Sequence, residues 1–143
     1  MRGAASEVAM IALGSNLGDR DAHLAHARRR IATLPGTRLL AESAIEETMP
    51  LGGMAQPPYL NQVVAAATSM APRELLAALR AVEDERGRTR DGRWEARTLD
   101  CDLVSYGGVR SDDPELTLPH PGLATRDFWQ REVAAVERAM RAS

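Results

Sequence analysis

Thr98-Leu99-Asp100-Cys101-Asp102-Leu103-Val104-Ser105-Tyr106 is the stretch on which the fold turns. Apolar and polar residues alternate through it, the period of a strand with one face on a core. Leu99, Cys101 and Leu103 share the core side, and Asp100 and Asp102 share the other. Gly107-Gly108 stops it. Upstream, Pro72 suits a first helical position. Leu75, Leu76, Leu79 and Val82 then form an apolar helical stripe that Gly87 ends. Tyr59–Met70 reads as a strand, and Arg38–Thr48 as one extended strand of poor alternation. An earlier helix starts at Asp19 or Asp21, carries Leu24, Ala27, Ile31 and Leu34, and stops at Pro35-Gly36. Val8–Leu13 is a short buried strand ending at the turn Gly14-Ser15-Asn16. Downstream, 112–122 reads as loop, and Thr125 caps a last helix with Trp129, Val133, Val136 and Met140 on one face.

The order is β-α-β-β-α-β followed by a helix. It predicts an α+β, ferredoxin-like sandwich: one antiparallel sheet, helices packed on one face, and a C-terminal helix. The other sheet face is expected to be open for a ligand. Segments 50–58 and 89–96 are loops. At 143 residues the chain is expected to be a single domain, 1–143.

Composition narrows the function. Apolar residues make up 44%, so the chain can build a core. Net charge is −2, which argues against a nucleic-acid or anionic-membrane binder. All 18 basic residues are Arg, so anions must be held by guanidinium forks, and no Lys can form a Schiff base. The lone Cys101 excludes an internal disulfide and a multi-Cys zinc site. No apolar run approaches a membrane span, and Val8–Leu13 is too short for a signal peptide. A cytoplasmic protein is expected, with a monomer favoured.

Asp100 and Asp102 stand roughly 7 Å apart at Cα on one strand face. They are either a solvated acidic face or a pair that shares a cation such as Mg²⁺ with substrate phosphates. Arg88, Arg90, Arg93 and Arg97 precede them. That cluster is either a salt-bridge network or a phosphate clamp beside a metal site, the arrangement that phosphoryl transfer requires. Tyr59 and Asn61 share a strand face, where a ring and an amide can hold a flat heterocycle or simply pack. Gly14–Gly18 lacks the spacing of the phosphate-binding and dinucleotide loops. His120 is stiffened by Pro119 and Pro121. His23 and His26 read as surface residues.

Taken together, seven segments resemble the 6-hydroxymethyl-7,8-dihydropterin pyrophosphokinase family: 12–18, 48–52, Tyr59-Leu60-Asn61, 83–88, Trp94, Arg97-Thr98-Leu99-Asp100-Cys101-Asp102-Leu103 and Leu118-Pro119-His120-Pro121. They stand in family order and cover the chain to about Trp129. The resemblance implies transfer of diphosphate from ATP to a pterin hydroxymethyl group, releasing AMP. It implies two Mg²⁺ on Asp100 and Asp102, with Arg88 and Arg97 as further catalytic groups. Glu83, Arg88, Trp94, Arg97, Thr117, His120 and Arg126 match ATP positions. Thr48, Leu51, Tyr59, Asn61 and Phe128 match the pterin pocket, with Tyr59 and Phe128 as the two faces of a stack. Partners are then small molecules only. Met49, Glu95-Ala96, Glu115 and Asp127 depart from the family pattern. Those departures keep two alternatives in view: a paralogue acting on another hydroxymethyl heterocycle, and a non-catalytic ferredoxin-like binding module.

Overall fold

A computed structural model describes residues 6–49, 57–87 and 98–142. Strand β1 is Glu7–Ser15, followed by helix α1 (Arg20–Ala32), β2 (Thr37–Glu42), β3 (Glu46–Thr48) and β4 (Tyr59–Thr68). Helix α2 (Pro72–Glu85), β5 (Asp100–Tyr106), β6 (Ser111–Asp113), β7 (Leu116–Leu118) and α3 (Asp127–Ala142) complete the order. The main sheet runs β2-β4-β1-β5, all antiparallel, with β3 pairing the start of β4. The predicted ferredoxin-like order is therefore present.

Local chemistry sets the element ends. The Asp19 carboxylate accepts from the Ala22 N–H at 3.1 Å, satisfying an orphan donor of α1. At α2 the Glu74 side chain accepts from the Ala71 N–H at 2.8 Å, with Pro72 behind it. Thr125 does not cap α3; it ends a 3-10 turn at Pro121–Ala124, and α3 begins at Asp127.

Three further expectations change. The segment 38–48 is two strands, because Ser43 breaks it. The Ser43 N–H donates to the Val63 carbonyl at 2.8 Å, and its hydroxyl accepts from the Val63 N–H at 3.0 Å. The segment 112–122 is not all loop: β6 and β7 form a small hairpin. Gly14 and Ser15 belong to β1 rather than to a turn, and Asn16 has no positive φ. Asn16 is buried instead, its amide donating to the Pro57 carbonyl at 3.1 Å.

The sheet separates two cores. On one face Ile11, Leu13, Val64, Cys101 and Leu103 pack with Leu24 and Ile31 of α1 and Leu75, Leu79 and Val82 of α2. Each such fully buried side chain contributes about 1.5–3 kcal/mol. On the other face Met10, Ala12, Val63, Ala65 and Val104 pack with Trp129 and Val136 of α3. The second face is thus covered by α3 along these residues, and the expected ligand face is confined to the sheet end beyond them. A bulge at Val104, between the pairs Ile11↔Leu103 and Met10↔Ser105, shifts the phase of the strand and turns Tyr106 onto the α1–α2 core. Among the described residues no helix is long and apolar enough to cross a membrane.

His23 and His26 are not idle surface residues. His26 Nε2 lies 2.8 Å from Glu85, which also accepts a forked pair of bonds from Arg30, and Arg86 donates to His23 Nδ1 at 2.9 Å. Both histidines tie α1 to the end of α2. Such exposed ion pairs are worth at most about 1 kcal/mol each.

Candidate active site

The register of three strands assembles the site. Gly14 of β1 pairs with Asn61 of β4 on one side and with Asp100 of β5 on the other. One row inward, Ala12 stands between Val63 and Asp102. Directly paired residues share a face, so Asn61, Gly14, Asp100 and Asp102 lie on the α3 face, at the sheet end past its apolar cluster. On the outer edge Thr48 pairs with Tyr59, and Glu46 with Asn61. The Asn61 amide donates to Thr48 Oγ1 at 2.5 Å.

Gly14 keeps this platform low. A Cβ there would stand 3.5 Å from Asn61 Oδ1 and 3.7 Å from a Tyr59 ring carbon. Any side chain at 14 would occupy the space in front of both. The glycine therefore serves close approach to the backbone rather than a turn.

Asp100 and Asp102 are both half-buried on β5. Glu83 of α2 fixes that strand from the opposite face. Its carboxylate is buried and accepts from the Cys101 N–H at 2.8 Å. The bond anchors the backbone between the two aspartates.

The third part of the site lies after the hairpin. The His120 N–H donates to the Val104 carbonyl at 2.8 Å, so the histidine is held against β5. Its Nδ1 accepts from the Gly122 N–H at 2.9 Å, which leaves the ring proton on Nε2. Burial first, then the Arg126 charge, pushes the imidazole pKa below its ordinary value. The ring stands edge-on to Trp129, with centroids 4.9 Å apart, and the Arg126 guanidinium lies 4.4 Å from the Trp129 ring centroid. Gly122 fits between them: a Cβ there would come within 3.0–3.1 Å of Trp129, Arg126 and His120. Thr117 on β7 donates to the Asp113 carbonyl at 3.0 Å.

Of the expected site residues, the fold brings Thr48, Tyr59, Asn61, Asp100 and Asp102 to one sheet end. It puts Phe128 in the first turn of α3, packed on the same face. His120 and Arg126 form a second group around Trp129, and Thr117 belongs to the hairpin. Glu83 approaches from the far side as a backbone anchor. Leu51, Arg88, Trp94 and Arg97 lie outside the described residues, as do Arg90, Arg93, Glu95 and Ala96. The platform role of Gly14, the wedge at Gly122 and a buried pair at Glu46 and Glu132 were not expected from the sequence. Glu132 carried a signal, since it stands three residues after Trp129 and four before Val136, inside the apolar stripe.

The two carboxylates suit a hard divalent cation, being oxygen donors side by side with partial access to solvent. Among the described residues no group of three or more His, Cys, Asp or Glu side chains gathers as a metal site. Further ligands would be phosphate oxygens and water, the usual division for Mg²⁺.

Comparison with known proteins gives the relatives of the chain. The chain is 43% identical over 118 residues to a 2-amino-4-hydroxy-6-hydroxymethyldihydropteridine pyrophosphokinase of Pseudomonas aeruginosa, covering 82% of this chain and 73% of that protein. It is 37% identical over 131 residues to the protein of the same name in Bacillus subtilis, covering 92% and 78%. It is also 37% identical to part of a mitochondrial folate synthesis bifunctional protein of Pisum sativum, over 85% of this chain and 24% of that one. The family model for 7,8-dihydro-6-hydroxymethylpterin-pyrophosphokinase matches residues 10–138, nearly the whole of the sheet and its three helices. The chain therefore belongs to the 7,8-dihydro-6-hydroxymethylpterin-pyrophosphokinase family.

Proposed function

We propose that the chain transfers the β,γ-diphosphoryl group of ATP to the hydroxymethyl oxygen of 6-hydroxymethyl-7,8-dihydropterin, releasing AMP. The observation that carries this reading is the row Asn61–Gly14–Asp100. It sets the ring-recognition groups one strand away from the acidic pair, the separation that an acceptor and a phosphate chain need on one surface.

The pterin ring lies on the Gly14 platform, with Tyr59 and Phe128 as stacking faces, and the Asn61 and Thr48 side chains read its edge. The family resemblance assigns Leu51 to the same ligand. The triphosphate runs toward Asp100 and Asp102, with Arg126, Thr117 and the His120 Nε2–H as nucleotide contacts; the family resemblance assigns Arg88, Trp94 and Arg97 to the same ligand. Glu83 acts by holding β5. Two Mg²⁺ held by Asp100 and Asp102 would supply neutralisation of the phosphates and a lower pKa for the acceptor alcohol. The acceptor oxygen bonds to the β-phosphorus, the bond from that phosphorus to the bridging oxygen of AMP breaks, and the hydroxyl proton leaves to an Asp100 oxygen. Alignment and charge neutralisation do most of this work, since no covalent enzyme intermediate is needed.

Incubation with Mg²⁺, ATP and the hydroxymethyl dihydropterin should give AMP and the pterin diphosphate in equal amounts. Bound ATP with no AMP would overturn diphosphotransfer in favour of a binding module. AMP formed only with a different hydroxymethyl heterocycle would reassign the acceptor.

A further inference from the structure

Glu132 is a carboxylic acid in the buried stripe of α3, only 2% exposed. Neither of its carboxyl oxygens meets a hydrogen-bond donor among the described residues. A second carboxyl reaches the same stretch of α3: Glu46 of β3 bonds Arg131, the residue before Glu132. Glu46 Oε2 accepts from Arg131 Nε at 3.3 Å, while its Oε1 is buried without a donor. Two ionised carboxylates only accept, so a buried carboxyl beside a half-exposed one is most stable when one proton lies between them. Burial, then the contact with Glu46, pushes Glu132 up to about 9. The bond from Glu132, and more weakly Arg131, holds Glu46 below the usual carboxylate value against its own burial. The proton therefore belongs to Glu132, whose O–H donates to the Glu46 carboxylate.

Among the described residues, the other charged groups near the pair are themselves engaged. On α3 the neighbours are Arg131 and Asp127, themselves 3.4 Å apart. On β3 the other acid, Glu47, is paired with Arg20. From β4 the residues on this face are Asn61, Val63 and Ala65. β2 contributes Leu40 and Ala41, with Arg38 exposed, and the 3-10 turn contributes Leu123.

The pair joins the two walls of the acceptor pocket. Glu46 stands opposite Asn61 and two residues from Thr48, which binds the Asn61 amide. Glu132 stands one turn after Phe128 on α3. We propose that a single proton shared between Glu132 and Glu46 clasps α3 to β3, making Glu132 a positioning residue for the pterin pocket. The inference rests on the pterin reading above for the ligand, and on the carboxyl pair alone for the clasp. As the shared proton leaves at alkaline pH, a buried negative charge on Glu132 faces the half-exposed one on Glu46, and the β3 wall separates from α3. Pterin binding weakens, and ATP, held at the other end of the acidic pair, is unaffected.

The test uses the full chain as wild type, Glu132→Gln and Glu132→Ala. Equilibrium affinities for the pterin and for a non-hydrolysable ATP analogue are measured from neutral pH to about 10, together with melting temperature. Glu132→Gln presents a permanent amide donor to Glu46. In the wild type the pterin Kd should rise about tenfold along the alkaline limb, the loss of one charge-assisted hydrogen bond. In Glu132→Gln it should stay flat, and in Glu132→Ala it should be raised at every pH. The ATP-analogue Kd should not move with them. A Gln variant that follows the wild-type pH curve overturns the clasp, as does a parallel loss of both ligands. If the Ala variant fails to fold, the Gln variant decides alone. A wild type that binds pterin with this profile and forms no AMP supports the clasp and overturns the diphosphotransfer reading.

Discussion

Gly14 is the residue whose replacement separates fold from function most cleanly. It lies in a central strand at ordinary backbone angles, so valine is acceptable to the sheet. The new side chain would fill the space in front of Asn61 and Tyr59. Gly14→Val should retain cooperative melting and lose at least about tenfold in pterin affinity, with little change for ATP. Equal losses for the two ligands by titration would refute the platform. Asp100→Ala and Asp102→Ala should each reduce AMP formation to background; full turnover in either would remove that residue from the reaction. Gly122→Ala forces its neighbours apart at 3.0–3.1 Å and should cost about 1–3 kcal/mol in denaturant unfolding. The aspartates and Tyr59-Asn61 were legible in the sequence because strand period fixes which residues share a face. The two glycines were not, because what they spare lies on other elements. Asn61 is 47 residues from Gly14 in the chain, and only register brings them together.

At the level of elements, strand β5 is held from both sides of the sheet. Its backbone ladder is with β1, and the Cys101 N–H is taken by Glu83 from α2. Losing a buried acceptor leaves that donor unsatisfied, at about 1–3 kcal/mol. Glu83→Ala should therefore destabilise the chain by that amount and also lower kcat, since Asp100 and Asp102 flank the released N–H. Glu83→Gln keeps an oxygen acceptor and should recover most of both. A Gln variant as impaired as the Ala variant, in melting and in turnover, would show that the charge rather than the bond matters. Helices α2 and α3 and strand β5 were readable from their period, β1 and β4 as apolar runs, and α1 from its Asp cap and its Pro35-Gly36 stop. The break at Ser43 and the hairpin β6–β7 were not. A three-residue strand has too few positions to show a period, and Ser43 is defined by its bonds to Val63, 20 residues away. The partners of the α1 histidines were not legible for the same reason, since Glu85 and Arg86 lie at the end of α2.

The whole molecule is a sheet with two unlike coverings. The α1–α2 layer buries Leu24, Ile31, Leu75, Leu79 and Val82, and among the described residues its one expected site residue is Glu83, which holds β5 from the face opposite the ligand. The α3 layer closes the other core and also carries Phe128, while its Trp129 supports both Arg126 and His120. Cavity mutations of similar severity should thus diverge in their functional effect. Leu79→Ala should cost about 2–5 kcal/mol, and Trp129→Ala about 3–5 kcal/mol. Assayed well below their melting temperatures, Leu79→Ala should bind pterin and ATP as the wild type does. Trp129→Ala should lose ATP affinity as well, because the Arg126 guanidinium loses the ring face it rests on and the His120 ring loses its neighbour. The comparison needs only equilibrium binding at a temperature where both variants are folded. Unchanged ATP affinity in Trp129→Ala would mean that the Trp129 group supports the core alone, and that the nucleotide lies elsewhere on the sheet end. An equal loss in Leu79→Ala would mean that both layers act on the site through general loosening of the sheet.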